Sequence, residues 1–278
     1  MKIILSISSH VVAGRVGQGI STFAFERLGL AVFAVPSVLY PVTPAPRAPR
    51  GEAVPQEIFS LLLEGLEAHG AFEGLGALHI GYLRTREQVA SVARVIALVR
   101  AKSTRAPVFL DPILGDEPGG LYVPKETADA IASELVPRAD ILTPNLFELG
   151  YLAGRVIVSE SEAVAAARSL KAPLVVVTSA PSAAAESTTL LITPEGAHRL
   201  RTARFASAPH GTGDLLAALL LARLVKGETP LDALAAAISS VHRLIGLAVA
   251  MGADYLPHVE HQELLVSPAS CVQIERIA

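Results

Sequence analysis

The chain has 278 residues, of which 51% are hydrophobic, so it can bury the core of one large α/β domain or two smaller ones. Aromatic residues make up 5%, tryptophan is absent and the formal net charge is −3, which argues against nucleic acid as a partner. The single cysteine, Cys271, cannot form an internal disulfide, and no cysteine–histidine spacing resembles a zinc site. Apolar runs too short for a signal peptide or a membrane span predict a soluble, cytoplasmic protein without a membrane partner.

Short apolar runs alternate with longer helical patterns, which indicates an α/β fold with a mostly parallel sheet between helices. We predict strands near Ile3–Ser8, Ala31–Pro36, Ala77–Ile80, Val108–Leu110, Ile141–Leu142 and Leu174–Thr178, with a hairpin formed by Thr188–Ile192 and His198–Ala203. We predict helices near Gly19–Leu28, Pro55–Ala68, Arg86–Arg100, Lys125–Leu135, Leu146–Leu152, Glu160–Leu170, Thr212–Val225 and Leu231–Met251.

The segment from Tyr40 to Gly51 interrupts this alternation with four prolines in nine residues. Such a segment cannot continue a helix or a central strand. It is either a surface connector or a flexible lid that folds over a site, with two arginines near bound phosphates.

A glycine-rich loop precedes the most apolar helical pattern of the chain. Gly211 and Gly213 permit a tight turn and leave backbone amides uncovered in front of a buried helix. Free amides at the positive end of a helix bind anions such as phosphate. Asp214 places a carboxylate beside that anion, as a general base for a hydroxyl attacking a phosphoryl group would require. An ordinary turn in which Thr212 or Asp214 caps the helix would use the same residues.

Two nucleotide-binding motifs do not fit this loop. A dinucleotide fingerprint requires Gly or Ala where Leu216 stands, and the next element is predicted to be a helix instead of a strand. A P-loop sequence occurs nowhere in the chain.

Acidic residues follow two predicted strands. Asn145 and Glu148 lie on one side of a first helical turn, where they form either an Asn-capped box or a polar corner for hydrated Mg²⁺. Asp111 and Asp116 follow the strand that ends at Leu110, at the edge where open α/β sheets bind ligands. Either aspartate could instead cap a turn.

Small polar or aromatic residues end the other predicted strands. Ser9 follows the first strand, Tyr82 follows the strand at Ala77–Ile80, and Thr178 and Ser179 end a further strand. Each of these residues is unremarkable alone. Because several strand ends and the glycine loop all carry small polar, aromatic or acidic residues, we predict that these residues share one crevice.

Taken together, these segments resemble the pyridoxal kinase family of the ribokinase-like superfamily. The matching segments run in family order along nearly the whole chain: 9–12, 14–17, 81–83, 111–116, 121–124, 143–149, 178–179 and 211–214. The resemblance implies a three-layer, ribokinase-like fold for residues 1–278 as a single domain, without a separate lid domain but with a flexible lid at about 40–51. It also implies a homodimer that uses ATP to phosphorylate the 5′-hydroxymethyl group of pyridoxal and related B6 vitamers, giving pyridoxal 5′-phosphate.

The resemblance also implies a role for each matching residue. Asp214 would take the hydroxyl proton, and the amides of Gly211, Thr212 and Gly213 would form the anion hole. The pyridine ring would contact Ser9, Thr43 and Tyr82. The ATP side would be lined by Asp111, Thr143, Glu148, Thr178 and Ser179. Mg²⁺ would be held by Asp116 and Glu148, mostly through water, and a monovalent cation is an open question.

Three departures from the family pattern leave the substrate open. The lid lacks an asparagine and a histidine beside Thr43, His210 precedes the glycine loop, and the stretch 180–185 is rich in alanine. The alternatives are a hydroxymethylpyrimidine kinase, whose glycine loop resembles Gly-Thr-Gly-Cys, and a protein that binds a B6 vitamer or nucleotide without turnover. Asp214 argues against both.

Overall fold

The computed structural model describes residues 1–43 and 51–278, which form one ten-stranded sheet between helices and a separate two-stranded ribbon. The strands are β1 (Ile3–Ala13), β2 (Ala31–Val42), β3 (Glu52–Ala53), β4 (Ala77–Ile80), β5 (Val108–Leu110), β6 (Gly115–Asp116), β7 (Gly120–Leu121), β8 (Ile141–Leu142), β9 (Leu174–Ala180), β10 (Glu186–Thr193), β11 (Gly196–Ala203) and β12 (Gln273–Arg276). The α-helices are α1 (Gln18–Arg27), α2 (Gln56–Ala68), α3 (Arg86–Lys102), α4 (Lys125–Ala130), α5 (Leu146–Ala153), α6 (Glu160–Ser169), α7 (Thr212–Lys226), α8 (Pro230–Met251) and α9 (Glu263–Val266).

The sheet confirms the predicted three-layer α/β architecture. Its strand order is β12-β11-β10-β9-β8-β5-β4-β1-β2-β3. Neighbouring strands from β2 to β9 pair in parallel, whereas β3 and the hairpin strands β10 to β12 pair antiparallel. Parallel strands end at the same edge, so the loops that follow β1, β4, β5 and β8 come together.

Each face of the sheet carries its own hydrophobic core. On one face, Phe59 of α2 and Val92 of α3 are fully buried against the sheet. On the other face, Phe25 of α1, Leu219 of α7 and Leu234 of α8 are also fully buried. Because both faces are covered, the central strands read as continuous apolar runs rather than alternating ones.

The helix ends follow local sequence signals. Thr85 and Thr229 each accept a hydrogen bond from the third amide of α3 and α8, and Pro230 opens α8 without losing a helical bond. Gly227 and Gly252 end α7 and α8 in the left-handed conformation that glycine adopts without strain.

Helix α8 is long and apolar enough to span a membrane by length and composition alone, with a mean hydropathy of 1.7. Core helices of compact folds meet the same criterion. Here Leu234, Ala237 and Leu244 of α8 are fully buried in the core that it shares with α7.

Strands β1 and β2 extend furthest beyond the ranges that the sequence pattern predicts, β1 to Ala13 and β2 to Val42. The prediction that the segment from Tyr40 onward cannot continue a central strand is compatible with this, because Tyr40–Val42 extend β2 only where it lies at the edge of the described sheet. Strand β2 carries one extra residue opposite Ser8–His10 of β1, and beyond Leu39 no described strand pairs with its outer side. A bulge and an unpaired side are the places where a strand tolerates proline.

Other differences concern short or irregular elements. The predicted helix Lys125–Leu135 is α-helical only to Ala130, continues as a π-helix over Ile131–Leu135 and ends in a 3₁₀ turn containing Pro137. Elements β3, β6, β7, β12 and α9 were not predicted. The hairpin of β10 and β11 is confirmed, with Thr193 opposite Gly196 at its turn.

Candidate active site

One cavity of about 810 Å³ lies at the edge where the parallel strands end. All the residues predicted for catalysis, substrate, nucleotide or metal binding line it: Ser9, Thr43, Tyr82, Asp111, Asp116, Thr143, Glu148, Thr178, Ser179, Gly211, Thr212, Gly213 and Asp214. The structure therefore brings together residues that span more than 200 positions of sequence.

The glycine loop forms the start of α7. Gly211 adopts the left-handed conformation, with φ of 89°, and α7 begins at Thr212 with its amino end at the cavity. None of the described side chains caps this end, so the first amides have no partner within the helix. A Cβ placed on Gly213 would meet no described atom within 4 Å. The first amides of α7 therefore lie at a part of the cavity wall that has room for an anion.

Asp214 lies deep in the protein, but its side chain is partly accessible from the cavity. Burial raises the pKa of its carboxyl group, and a hydrogen bond from the Gly17 amide to Oδ2, 2.9 Å long, opposes that rise. The same hydrogen bond fixes the direction of the carboxylate. A fixed carboxylate with a raised pKa is suited to accept a proton near neutral pH.

Glu148 belongs to the capping box that starts α5, as the structural interpretation of Asn145 and Glu148 predicted. Asn145 and Glu148 cap each other's amides, and Glu148 Oε1 also accepts from the amide of Leu114 at 2.8 Å. Burial raises the pKa of Glu148 to about 7, against the lowering effect of these amides. The negative charge of Asp116 adds to the rise.

Asp111 is a third buried carboxyl group of the site. Burial, followed by repulsion from Glu148 and Asp214, raises its pKa well above the ordinary range. Three buried carboxyl groups therefore repel one another in one cavity. A cation that reduces this repulsion would favour entry of a polyphosphate.

Two residues that are predicted to line the ATP side of the cavity, Thr143 and Ser179, have unusual geometry. Thr143 Oγ1 is buried close to Asp111 but makes no hydrogen bond of normal geometry with any residue in 1–43 or 51–278. Ser179 has φ of 54°, which is uncommon for a residue other than glycine. Unpartnered and strained polar residues that face a cavity are typical of ligand sites.

Tyr82 is held at both of its backbone polar groups. Its amide donates to Ser8 Oγ at 3.2 Å, and its carbonyl accepts from Ser37 Oγ. Its hydroxyl lies 3.3 Å from a guanidinium nitrogen of Arg84, while burial raises the pKa of Tyr82 to about 12. The ring is thus a fixed, neutral surface on the cavity wall, suited to pack against a flat substrate.

The sequence did not predict a role for several residues at the cavity. Arg84, Tyr122 and Tyr40 line its wall beside Tyr82, and His210 lies next to the glycine loop. Arg84 donates to the Tyr122 carbonyl at 2.9 Å. The signal that could have found Arg84 is its position two residues after Tyr82, at the same strand end.

Two further predictions concern the lid and the metal site. Residues 44–50 of the predicted lid lie outside the described residues, so the lid remains a prediction. Among the described residues no group of three or more His, Cys, Asp or Glu side chains could hold a metal ion. A site built on the Asp116–Glu148 pair would therefore need ligand oxygens or water as well.

The sequence and the fold were compared with known proteins. Residues 64–259 match the family described as phosphomethylpyrimidine kinase. The chain is 40% identical over 232 residues to a pyridoxine/pyridoxal/pyridoxamine kinase of Bordetella avium, covering 81% of this chain and 78% of the relative. It is 32% identical to a pyridoxal kinase of Corynebacterium diphtheriae, covering 99% of each. Pyridoxal kinase from Leishmania donovani in complex with ADP and pyridoxamine superposes with a TM-score of 0.92 at 26% identity, covering 100% of both chains.

Proposed function

The chain belongs to the pyridoxal kinase family of the ribokinase-like superfamily, and from this premise we propose how its own residues perform the family reaction. The enzyme transfers a phosphoryl group from ATP to a B6 vitamer. The acceptor is the 5′-hydroxymethyl group, and the product from pyridoxal is pyridoxal 5′-phosphate. Residues 1–278 act as one domain, because β1 and β12 belong to the same sheet.

Asp214 is the general base. The observation that carries this proposal is its position in the first turn of α7, held by the Gly17 amide beside the free amides of Thr212 and Gly213. The carboxylate takes the proton of the 5′-hydroxyl as the oxygen attacks the γ-phosphorus of ATP, and the bond from that phosphorus to the bridging oxygen breaks so that ADP leaves. The amides at 211–213 hold the charge on the transferring phosphoryl group, which is the main catalytic requirement of this reaction.

The two substrates occupy the two sides of this centre. Ser9, Thr43 and Tyr82 contact the vitamer, with the pyridine ring packed on Tyr82. The nucleotide side is lined by Asp111, Thr143, Glu148, Thr178 and Ser179. Two observations support this division: the buried Thr143 hydroxyl makes no hydrogen bond of normal geometry with the described residues, and Ser179 has a positive φ that is uncommon outside glycine.

The donor set fits a magnesium ion held through water. Asp116 and Glu148 supply carboxylate oxygens, which Mg²⁺ prefers, and backbone amides already donate to both oxygens of Glu148, which favours contact with the ion through water. When bound, Mg²⁺ would neutralise charge on the ATP phosphates. The chain's own contribution is to hold Glu148 and Asp116 close together at the cavity wall.

Replacing Asp214 with Asn tests the base. The variant keeps the shape of the side chain, so we expect folding and ATP binding to persist while turnover with pyridoxal falls at least about 10²-fold. Asp232→Asn is the matched control, because Asp232 is the third residue of α8 as Asp214 is of α7, but it is exposed. Near-normal turnover of the Asp214 variant, or an equal loss in the control, would remove the assignment.

The same assay separates the alternatives. Rates on pyridoxal, pyridoxine, pyridoxamine and hydroxymethylpyrimidine are compared, with the position of the product phosphate determined. Hydroxymethylpyrimidine is included because residues 64–259 match the phosphomethylpyrimidine kinase family. A higher rate on that alcohol would overturn the B6 assignment, and bound pyridoxal without ADP formation would favour a binding protein.

We further propose that the enzyme is a cytoplasmic homodimer and that the proline- and arginine-rich segment at about 40–51, whose first residues Tyr40–Val42 end strand β2, forms a lid over the cavity. Thr43, the residue before 44–50, lines the cavity, which supports the lid. Light scattering of the purified enzyme tests the dimer.

A further inference from the structure

Residues 14–17, a short segment with glycine at both ends, connect β1 to α1. They contact Thr43 and Ser9, two of the residues proposed to bind the vitamer. A Cβ placed on Gly14 would collide with Thr43 Oγ1, and one placed on Gly17 would collide with Ser9 Oγ. Gly17 has φ of 54° and ψ of −135°, a conformation open to glycine alone. The backbone of this segment therefore packs directly against Ser9 and Thr43, which are predicted to contact the vitamer.

The same segment contacts the catalytic end of the cavity. The Gly17 amide donates to Asp214 Oδ2 at 2.9 Å. The Arg15 carbonyl lies so close to Gly211 that an added Cβ there would collide with it. Both the proposed base and the start of the anion loop are thus supported by residues 14–17.

Arg15 carries the one long side chain of this segment, and that side chain is anchored away from the cavity. Its two terminal nitrogens bond the two carboxylate oxygens of Glu260 at 2.7 and 2.8 Å. One of them also donates to the Leu256 carbonyl at 3.1 Å, and the guanidinium carbon lies 4.2 Å from the centre of the Tyr255 ring. The 255–260 region therefore holds Arg15 by a bidentate ion pair, a backbone hydrogen bond and a cation–π contact.

The ion pair between Arg15 and Glu260 contributes little to the stability of the fold. The side chains of Arg15 and Glu260 remain 30% and 42% exposed, and exposed ion pairs contribute only about 0–1 kcal/mol to folding. The bond to Arg15 holds the pKa of Glu260 at about 2, so both groups stay charged across the neutral range. A modest energy is nevertheless sufficient to select one position for a glycine-rich segment, which has many others available.

We propose that Arg15 is a positioning residue for phosphoryl transfer: its anchor on Glu260 and Tyr255 holds residues 14–17 where the Gly17 amide orients Asp214 and the Arg15 carbonyl supports Gly211. The proposal rests on the role of Asp214 proposed above. A base misplaced by about 1 Å costs up to about 10²-fold in rate, so the anchor acts on turnover more than on substrate affinity.

The first test compares Arg15→Ala with Arg199→Ala. Arg199 makes a bidentate pair of the same lengths with Glu160, 2.7 and 2.8 Å, and is similarly exposed, but it lies on β11 outside the cavity lining. We expect Arg15→Ala to lower kcat about 10-fold or more with KM for pyridoxal and ATP changed less than about 3-fold. Arg199→Ala should leave both constants unchanged, and both variants should lose similar, small amounts of stability in urea.

The second test is a double-mutant cycle made of Arg15→Ala, Glu260→Ala and the double variant. If Arg15 and Glu260 act as one unit, the double variant Arg15→Ala/Glu260→Ala loses no more kcat than Arg15→Ala alone. Glu260→Gln, which leaves Arg15 in place, should lower kcat in the same direction and keeps the test decisive if Arg15→Ala does not fold.

Three results would overturn the inference. They are an unchanged kcat in Arg15→Ala and Glu260→Gln, a kcat loss matched by Arg199→Ala, and strictly additive losses in the cycle. If Asp214→Asn is inactive while Arg15→Ala is normal, the base assignment stands and only the anchor fails. If Asp214→Asn is active, the proposed function itself fails.

Discussion

Helices α5 and α6 begin with the same local motif in two different surroundings. In each, the residue before the helix and the third helical residue cap each other: Asn145 with Glu148, and Ser159 with Glu162. Glu148 is 3% exposed, and burial raises its pKa to about 7. Glu162 is exposed, and the amide hydrogen bonds, chiefly from Val158, lower its pKa.

The difference shows that the motif does not determine its own chemistry. The backbone amides favour the charged form of both glutamates, but at Glu148 the loss of water outweighs them. A capping box on the surface stabilises a helix. The same box at the bottom of a cavity also supplies a carboxylate whose charge is readily changed by a bound ion.

The largest difference between the two capping boxes should appear in activity when the charge of each glutamate is removed. Glutamine at the third helical position preserves a capping box, so Glu148→Gln and Glu162→Gln remove charge with little change of shape. We expect the Mg²⁺ concentration for half-maximal activity to rise about 10–100-fold in Glu148→Gln, because a carboxylate of the proposed site is lost. Activity measured against Mg²⁺ concentration checks this.

Glu162→Gln is the control for that measurement and should retain the Mg²⁺ response of the parent enzyme. An equal response of the two variants would show that the buried box has no part in metal binding.

The pH dependence of stability should have opposite signs at the two boxes. Folding raises the pKa of Glu148 from 4.5 to about 7, so its stabilising effect is complete below about pH 4.5 and is lost as the pH rises through 7. Folding lowers the pKa of Glu162, so its contribution is present at neutral pH and is lost as the solution is acidified.

Urea unfolding without nucleotide or Mg²⁺ measures this effect. Between pH 4.5 and 7 we expect the parent enzyme to lose a few kcal/mol relative to Glu148→Gln, whereas relative to Glu162→Gln it should lose stability only as the pH falls below about 4.5. Parallel curves for the two variants would contradict the assignment of their surroundings.

Removing the cap residues should give the smallest effect. Asn145→Ala and Ser159→Ala should each lower the free energy of unfolding by about 1 kcal/mol, the usual contribution of a capping side chain. Asn145→Ala should also lower turnover, since Asn145 Nδ2 donates to the Gly115 carbonyl at 2.8 Å beside Asp116. Urea unfolding and the kinase assay together check this pair, and a turnover loss in Ser159→Ala would contradict it.

Local patterns in the sequence predicted the central strands and the polar residues at their ends, whereas Thr43 and the roles of the cavity residues came from the family resemblance. Strands β4, β5 and β8 lie where their apolar runs predicted. Their ends meet at one edge by the geometry of parallel pairing, so polar residues after each strand could be assigned to one crevice without knowledge of any contact.

Contacts between distant residues could not be predicted in this way. Gly17 and Asp214 are 197 positions apart, and neither residue type indicates the other. The anchor of Arg15 on Glu260 joins two loops with no hydrophobic period. Strand β12 was missed because all four of its residues are exposed, so it has no apolar alternation, and its register comes only from pairing with β11.

Helix α7 ties the phosphate-binding amides to the most enclosed part of the protein. Every residue from Leu215 to Ala222 is buried, so this helix cannot fray without opening the core on its face of the sheet. The hydrogen-bonded amides of residues 215–222 should exchange with solvent only through complete unfolding. We therefore expect thermal unfolding and loss of activity to coincide, and a ligand bound to the amides at the start of α7 to raise the unfolding temperature.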